Sequence, residues 1–476
     1  MIDLKDLCIN HTASIEECLM KIDSNGLGII FLVDEMVLKG VLSDGDIRRA
    51  FIGNINKKSP AIRISNKNFV SLKLGASNKK IQNTLSNRIK LIPLIDKKGV
   101  VKDFASKEKL HQYSVMDPLL GGNELEYVTE CINTNWISSQ GKYVVRFENN
   151  ISNFLKSKYC LATSNGTVSL HLALVSLGIG DGDEVIVPNL TFGASVNSIV
   201  HAGATPVFAD IDKDSWNLTV RNIEPLITKK TKAIMPVHLY GNPCNMREIS
   251  SLAKKYKLLI VEDCAESIGA KVGKKFAGTF GDAATFSFFA NKLITTGEGG
   301  AIIFKNKKIY EKAKILRDHG MNPKKRYWHD YVGYNYRLTN IQAAIGCAQL
   351  ERIDYFAERR DQLFERYDNN LLESGHFLNQ KIDKNNKSGN WLYSLCLKDK
   401  KVSRDKLMKF LKTRGIETRP LFYPMNMMPA FKKICKFSKC PNSINLSSSG
   451  FSLPSSAHLS KTDIDYISDN LLSYFK

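Results

Sequence analysis

From residue 159 to residue 262 the chain alternates short apolar stretches with helical patterns, and this alternation limits the possible folds more than any other feature. The apolar stretches are 159–163, 184–187, 206–209, 232–236 and 258–262; helical patterns open at Thr167 and cover 245–256. Strands that alternate with helices predict an α/β fold, with a mainly parallel sheet covered by helices on both faces. In such sheets ligands sit at the carboxyl ends of the strands. A long helical region, 339–372, then leads to a smaller C-terminal α/β segment.

At 476 residues the chain is too long for one ordinary core, and two or three domains are expected. Apolar and charged contents of 43% and 24% are those of a globular protein in water. No apolar run approaches the roughly 20 residues of a membrane span. The start, Met1-Ile2-Asp3-Leu4-Lys5-Asp6, lacks a signal-peptide pattern, which predicts a cytoplasmic protein with no membrane partner. The ten cysteines show no paired metal spacing; Cys435 and Cys440 have no second pair nearby, so reduced, packed thiols and no metal site are expected. The formal charge of +21 is mostly lysine spread along the whole chain, which argues against a nucleic-acid interface. A positive field of this kind attracts an anionic nucleotide substrate.

Residues 1–112 read as two similar halves. Ile30-Phe31-Leu32-Val33-Asp34 recurs as Ile92-Pro93-Leu94-Ile95-Asp96, and each follows an amphipathic helix pattern, 15–22 and 79–85. The stretch Gly40-Val41-Leu42-Ser43-Asp44-Gly45-Asp46-Ile47-Arg48-Arg49 resembles the closing strand and helix of a cystathionine-β-synthase (CBS) module. That resemblance implies a nucleotide held by Ser43 and Asp46. The second half has Ala105 and Glu108 at the matching positions, so the alternative is a degenerate pair used for packing or oligomer contact. Residues 113–119 read as the joint to a larger unit, with 117–355 as a large domain and 356–476 as a small one.

The chemistry-bearing stretch is Ser287-Phe288-Phe289-Ala290-Asn291-Lys292, followed by Leu293-Ile294-Thr295-Thr296-Gly297-Glu298-Gly299-Gly300. A lysine beside a serine in a small-residue loop suits pyridoxal 5'-phosphate (PLP): the amine forms a Schiff base with the aldehyde, and the hydroxyl holds phosphate. Upstream, Ser164-Asn165-Gly166-Thr167 follows a strand and opens a helix, giving either a phosphate cradle or a simple helix cap at Thr167. Glu262-Asp263-Cys264-Ala265-Glu266 ends an apolar strand, where a carboxylate keeps a pyridine nitrogen protonated. Alternation alone does not choose Asp263 over Glu262. Phe192 offers a ring that stacks on a pyridine or, equally, packs in the core.

The order phosphate loop, aromatic, strand-end acid and lysine is that of fold-type I PLP enzymes. More narrowly, the chain from Asp117 onward resembles the DegT/DnrJ/EryC1/StrS family of nucleotide-sugar aminotransferases. The resemblance rests on Trp136-Ile137-Ser138-Ser139, Ser164-Asn165-Gly166-Thr167, Asp181-Gly182-Asp183-Glu184-Val185-Ile186-Val187-Pro188, Val237-His238-Leu239-Tyr240-Gly241, Glu262-Asp263-Cys264-Ala265-Glu266, Thr295-Thr296-Gly297-Glu298-Gly299-Gly300 and Gly333-Tyr334-Asn335-Tyr336-Arg337-Leu338-Thr339-Asn340. It implies that Lys292 carries the cofactor and Asp263 pairs with its ring nitrogen. Glu266 then lies near the ring and its 3-hydroxyl. Asn165, Gly166, Thr167 and Ser287 surround the phosphate, and Phe192 stacks. Asn335 reaches the phosphate from a partner subunit, which implies a homodimer or larger assembly.

Two further segments, Tyr327-Trp328-His329-Asp330-Tyr331-Val332-Gly333-Tyr334-Asn335-Tyr336-Arg337 and Glu417-Thr418-Arg419-Pro420-Leu421-Phe422-Tyr423-Pro424, resemble family members that aminate GDP-4-keto-6-deoxymannose at C4. They imply L-glutamate as donor, a GDP-linked 4-keto sugar as acceptor, and a product for surface polysaccharide. Trp136, Tyr327, His329 and Arg419 are the implied substrate contacts; a guanidinium matches diphosphate oxygens and does not titrate. Lys292 then moves protons as base and acid through two half-reactions. Ala290, Leu293, Phe192 and Asn426 depart from the usual residues, and Asn426 bears on which sugar is accepted. Three alternatives stand beside this reading. A sugar dehydratase of the same family would carry His in place of Lys292. An aminotransferase for a UDP- or dTDP-linked ketone is open. A non-catalytic nucleotide sensor would lack the lysine, the aspartate or the phosphate loop.

Overall fold

The computed structural model describes residues 4–475, apart from 77, 87, 107–112, 435 and 438. The chain divides into two compact units. One comprises residues up to Tyr113 with Phe410–Ile416; the other comprises Ser114–Lys409 and the chain from Glu417 on.

The first unit repeats one motif. In its first half the strand Cys8–Asn10 lies parallel to Ile29–Asp34, which turns back as Val37–Ser43. In its second half Leu72–Lys73, Leu91–Ile95 and Val101–Ser106 are ordered in the same way. Helix Ile15–Asn25 forms because Ser14 and Glu17 build a reciprocal cap at its start, while Ile15, Cys18 and Ile22 bury one face. Gly26, at φ 65°, ends it in the left-handed conformation. Phe31, Val33 and Leu38 of one half share a core with Leu91, Val101 and Phe104 of the other. Ala105 is buried in the second half's own core, and Glu108 lies outside the described residues.

The second unit is built on one sheet, whose strands in chain order are β1 (Tyr159–Thr163), β2 (Glu184–Pro188), β3 (Thr205–Ala209), β4 (Thr231–Ile234), β5 (Leu259–Asp263), β6 (Ala283–Ser287), β7 (Gly300–Phe304) and the short β8 (Lys436–Phe437). Their spatial order is β8-β3-β2-β4-β5-β6-β7-β1. All run parallel except β7, which is antiparallel to both neighbours. Every residue of β2 and of β7 is buried, which is why these stretches read as unbroken apolar runs. Helices α1 (Gly166–Ser176), α2 (Gly193–His201) and α3 (Met246–Tyr256) return the chain between strands.

The predicted helix 339–372 is two helices, α4 (Asn340–Glu351) and α5 (Ile353–Leu371). Arg352, at φ −110° and ψ 13°, leaves helical geometry and separates them. Beyond α5 a four-stranded antiparallel sheet carries Phe377–Asn379, Ser394–Leu397, Gly450–Ser452 and Arg419–Pro420. Among the described residues no helix is long and apolar enough to cross a membrane.

Candidate active site

Because β1, β2, β5 and β6 are parallel, the residues at their carboxyl ends gather on one edge of the sheet. There they line a cavity of about 880 Å³ whose wall includes Asn165, Thr167, Phe192, Asp263, Ser287 and Lys292. Gly166, Glu266 and Arg419 border the same cavity.

The lysine hangs on the return between β6 and β7. Ser287 and Gly300 pair across the neck of this loop, and the Phe288 N–H donates to the Gly299 carbonyl at 2.8 Å. Inside it, the Thr296 N–H (2.9 Å) and the Thr295 hydroxyl (3.1 Å) both donate to the Phe288 carbonyl. Lys292 Nζ lies 4.0 Å from Glu266 Oε1 and 3.6 Å from the ring centroid of Trp391. Burial pushes the Lys292 ammonium below the usual lysine range; Glu266 and Asp263 pull it back up, and Arg419 adds to the lowering. A lysine held this way supplies a neutral, nucleophilic amine more readily than an exposed one.

Strand alternation separates the two acids at the end of β5. Asp263 faces the cavity, where Oδ2 accepts from the Ser195 hydroxyl at 2.8 Å and Oδ1 accepts from the Ala265 N–H at 3.1 Å. Burial raises its carboxyl above the usual range, and the Ser195 and Ala265 hydrogen bonds and the Lys292 charge work against that rise. Glu262 points to the opposite face. Its oxygens accept the N–H groups of Gly278, Phe280 and Gly281 at 2.7–2.8 Å, and His238 Nε2 lies 3.2 Å away. His238 Nδ1 accepts from the Cys244 N–H at 3.0 Å. Glu262, His238 and Cys264 lie close enough to suggest a cation site. The backbone donors occupy both Glu262 oxygens and one imidazole nitrogen, so this cluster is a structural knot. Glu266, on the cavity side, accepts the Tyr240 N–H at 2.7 Å, and burial pushes its carboxyl up to about 7.

The sequence left a phosphate cradle and a cap at Thr167 as alternatives for 164–167. The cap is Asn165, whose Oδ1 accepts the Val168 N–H at 3.0 Å. The first-turn N–H groups of α1, at Gly166 and Thr167, therefore open toward the cavity without intrahelical acceptors. A Cβ at Gly166 would stand 2.9 Å from Ser287 Cβ, so the glycine is what lets the start of α1 approach the end of β6. A backbone cradle with an adjacent hydroxyl, a buried strand-end carboxylate and a desolvated amine, all on one cavity, fit the phosphate, ring nitrogen and aldehyde of PLP.

Four other sequence candidates do not line this cavity. Trp136, Tyr327, His329 and Asn335 are exposed on the second unit's surface. Trp136 Nε1 donates to the Gln140 carbonyl at 3.0 Å, His329 Nδ1 lies 2.8 Å from the His319 carbonyl, and Asn335 Oδ1 accepts from Arg337 Nε at 3.1 Å. Asn426, which departs from the usual residue at its position, accepts from Asn189 Nδ2 at 3.1 Å, and its N–H donates to Asn189 Oδ1 at 2.9 Å. In the first unit Ser43 and Asp46 are together, as a reciprocal helix cap: the Asp46 carboxylate accepts the Ser43 hydroxyl at 2.6 Å and its N–H at 2.9 Å.

Sequence reasoning missed Ser195, Tyr240 and Trp391. A serine in the first turn of a helix and a single tryptophan in an irregular stretch carry no periodic signal. Tyr240 had one, since its motif Val237–Gly241 carries part of the family resemblance, although nothing in the motif points to a role for the ring.

A mostly parallel sheet with an amine, a strand-end acid and a helix start converging at its carboxyl edge defines a fold-type I, PLP-dependent aminotransferase. The chain belongs to the DegT/DnrJ/EryC1/StrS aminotransferase family, whose sequence profile matches residues 118–472. It is 46% identical over 363 residues to the GDP-perosamine synthase of Escherichia coli O157:H7, covering 76% of this chain and 98% of that one. Among solved structures it is similar to Helicobacter pylori PseC, an aminotransferase of pseudoaminic acid biosynthesis, with 28% identity and a TM-score of 0.72 over 76% of this chain and 98% of the other. It is also similar to an E. coli GDP-4-keto-6-deoxy-D-mannose-3-dehydratase with bound hydrated PLP, with 27% identity and a TM-score of 0.70 over 75% and 99%.

Proposed function

We propose that this enzyme transfers the amino group of L-glutamate to C4 of GDP-4-keto-6-deoxymannose, making GDP-perosamine for surface polysaccharide. The observation that carries this reading is that the Lys292 amine and the buried Asp263 carboxyl line one cavity, in a chain 46% identical to a GDP-perosamine synthase. Bound PLP supplies an aldehyde that condenses with amines and a ring that accepts electrons. With that group bound, Asp263, held by Ser195, would keep a proton on the ring nitrogen. Phe192, on the same cavity wall, would pack against the ring. The Gly166 and Thr167 N–H groups, with Asn165 and Ser287, would hold the phosphate. Lys292 removes a proton from the amino-acid Cα and returns one at the opposite end of the transfer, as base and then acid. Glu266 beside it shares that charge. Arg419 meets the diphosphate, and binding there contributes far from the reacting carbon.

Asn335, Trp136, Tyr327 and His329 lie on exposed segments outside the cavity, which supports a role across a subunit boundary. We read the enzyme as a homodimer in which these residues complete the partner's site. We read 117–355 as the large domain and 356–476 as the small one. Residues 1–112 are read as a CBS-like pair that takes a nucleotide at Ser43 and Asp46, a reading supported by the repeated strand order of its two halves.

Lys292→Ala tests the assignment. The variant is expected to purify colourless and to lose turnover by several orders of magnitude, and a yellow, active variant rules the assignment out. Turnover on GDP-, UDP- and dTDP-linked 4-ketosugars tests the substrate: a preference for either of the latter two overturns the GDP reading and leaves the aminotransferase reading intact.

A further inference from the structure

We propose that the indole face of Trp391 holds the Lys292 ammonium whenever that amine is not covalently engaged, making Trp391 a positioning residue for the proton-transfer steps. The amine lies 3.6 Å from the ring centroid, well inside cation–π range. Two contacts fix the ring and a third holds its main chain. Its Nε1–H donates to the carbonyl of Asn291, the residue next to the lysine, at 2.7 Å. Its face stacks on Tyr240, with centroids 6.0 Å apart and planes 10° from parallel. Its own carbonyl accepts from buried Arg360 at 2.6 Å.

Tyr240 braces both neighbours of the amine. Its ring backs the indole, and its N–H holds Glu266, whose Oε1 lies 4.0 Å from Nζ. Tyr240 is itself fixed: its ring stacks on Phe422 at 5.4 Å and 18°, its hydroxyl accepts the Phe422 N–H at 3.1 Å, and its backbone sits at φ 54°, a conformation side chains rarely adopt. A strained residue that supports both walls of the amine's pocket points to a built device.

Charge state decides what the ring can do. A π face attracts an ammonium and has little hold on a neutral amine. As base and then acid Lys292 takes up a proton and gives it back, so the charged state recurs inside a desolvated pocket that disfavours it. The charged groups facing Nζ are Glu266 and Asp263, which favour the ammonium, and Arg419, which opposes it. Trp391 adds attraction without titrating and without offering a competing acceptor for the proton. This role for Trp391 rests on Lys292 being the reactive amine.

The test uses the full-length protein freed of cofactor. The pH dependence of Lys292 acetylation by dilute acetic anhydride, read on its peptide by mass spectrometry, gives the ionisation midpoint of that amine. Trp391→Leu is expected to lower the midpoint by roughly half to one and a half units, and Trp391→Phe by less. Fluorinated tryptophans keep the shape of the side chain and weaken its π face. Their incorporation into the otherwise unaltered chain is expected to lower the midpoint stepwise with fluorine number, and the pH profile of kcat in the holoenzyme is expected to move in the same direction. A midpoint that stays fixed along the fluorinated series overturns the proposal. A yellow, active Lys292→Ala protein would remove the assignment of Lys292 without moving this titration, so the two failures are distinguishable.

Discussion

At the scale of single residues, the site depends on which of two adjacent acids faces inward. Glu262 and Asp263 are indistinguishable by type and position in a run of apolar residues; the three backbone N–H groups around Glu262 come from 278–281, which no local pattern connects to it. Glu266 yields a pH prediction. Its carboxyl is raised by burial to about 7 from an ordinary value of 4.5, so the folded protein binds the proton more tightly than the unfolded chain. Stability therefore falls as pH rises from about 4.5 to about 7, and the cost persists above that window. Glu266→Gln removes this dependence. In cofactor-free protein the Tm difference, variant minus wild type, is expected to become more positive between pH 5 and pH 8; a constant difference contradicts burial of Glu266 as the cause. Trp391 shows where sequence reading stops, since a lone tryptophan gives no clue that a lysine far away in the chain will lie over it.

At the scale of elements, strand and helix placement was readable because the parallel strands are buried on both faces and the helices carry their own caps. Boundaries moved where several capping residue types stand together. In Ser164-Asn165-Gly166-Thr167 three residues are competent caps, and tertiary closeness to β6 selects Asn165 by requiring glycine next. Gly166→Ala is expected to push the start of α1 away from Ser287 and weaken cofactor affinity roughly 10- to 100-fold, the value of one or two charge-assisted hydrogen bonds. Absorbance titration of the cofactor-free variant measures this. Thermal stability without cofactor is expected to change by far less than a core substitution would cause. The break at Arg352 had no sequence signature, because the one glycine of 339–372, Gly346, lies inside α4 and no proline or glycine stands at the break.

At the scale of the whole molecule, the repeat in 1–112 was legible as a recurring strand motif, whereas the exposure of Asn335, Trp136, Tyr327 and His329 was not, since periodicity says nothing about what lies beyond one chain. Two compact units predict two calorimetric transitions. Ser43→Ala removes the cap of helix Asp44–Ile52 and is expected to lower only the transition of the first unit, by about 1 kcal/mol, leaving aminotransferase turnover unchanged. A guanine or adenine nucleotide that raises that same transition in wild type and not in Ser43→Ala supports a ligand there; equal shifts in both proteins count against it. Finally, the lysine-bearing loop is fastened at both ends to adjacent strands of the main sheet, with internal hydrogen bonds across its neck. The post is rigid and only the tether is free. Whatever distance the amine travels during a catalytic cycle is covered by rotation about four methylene groups, so the stroke of this machine is one side chain long.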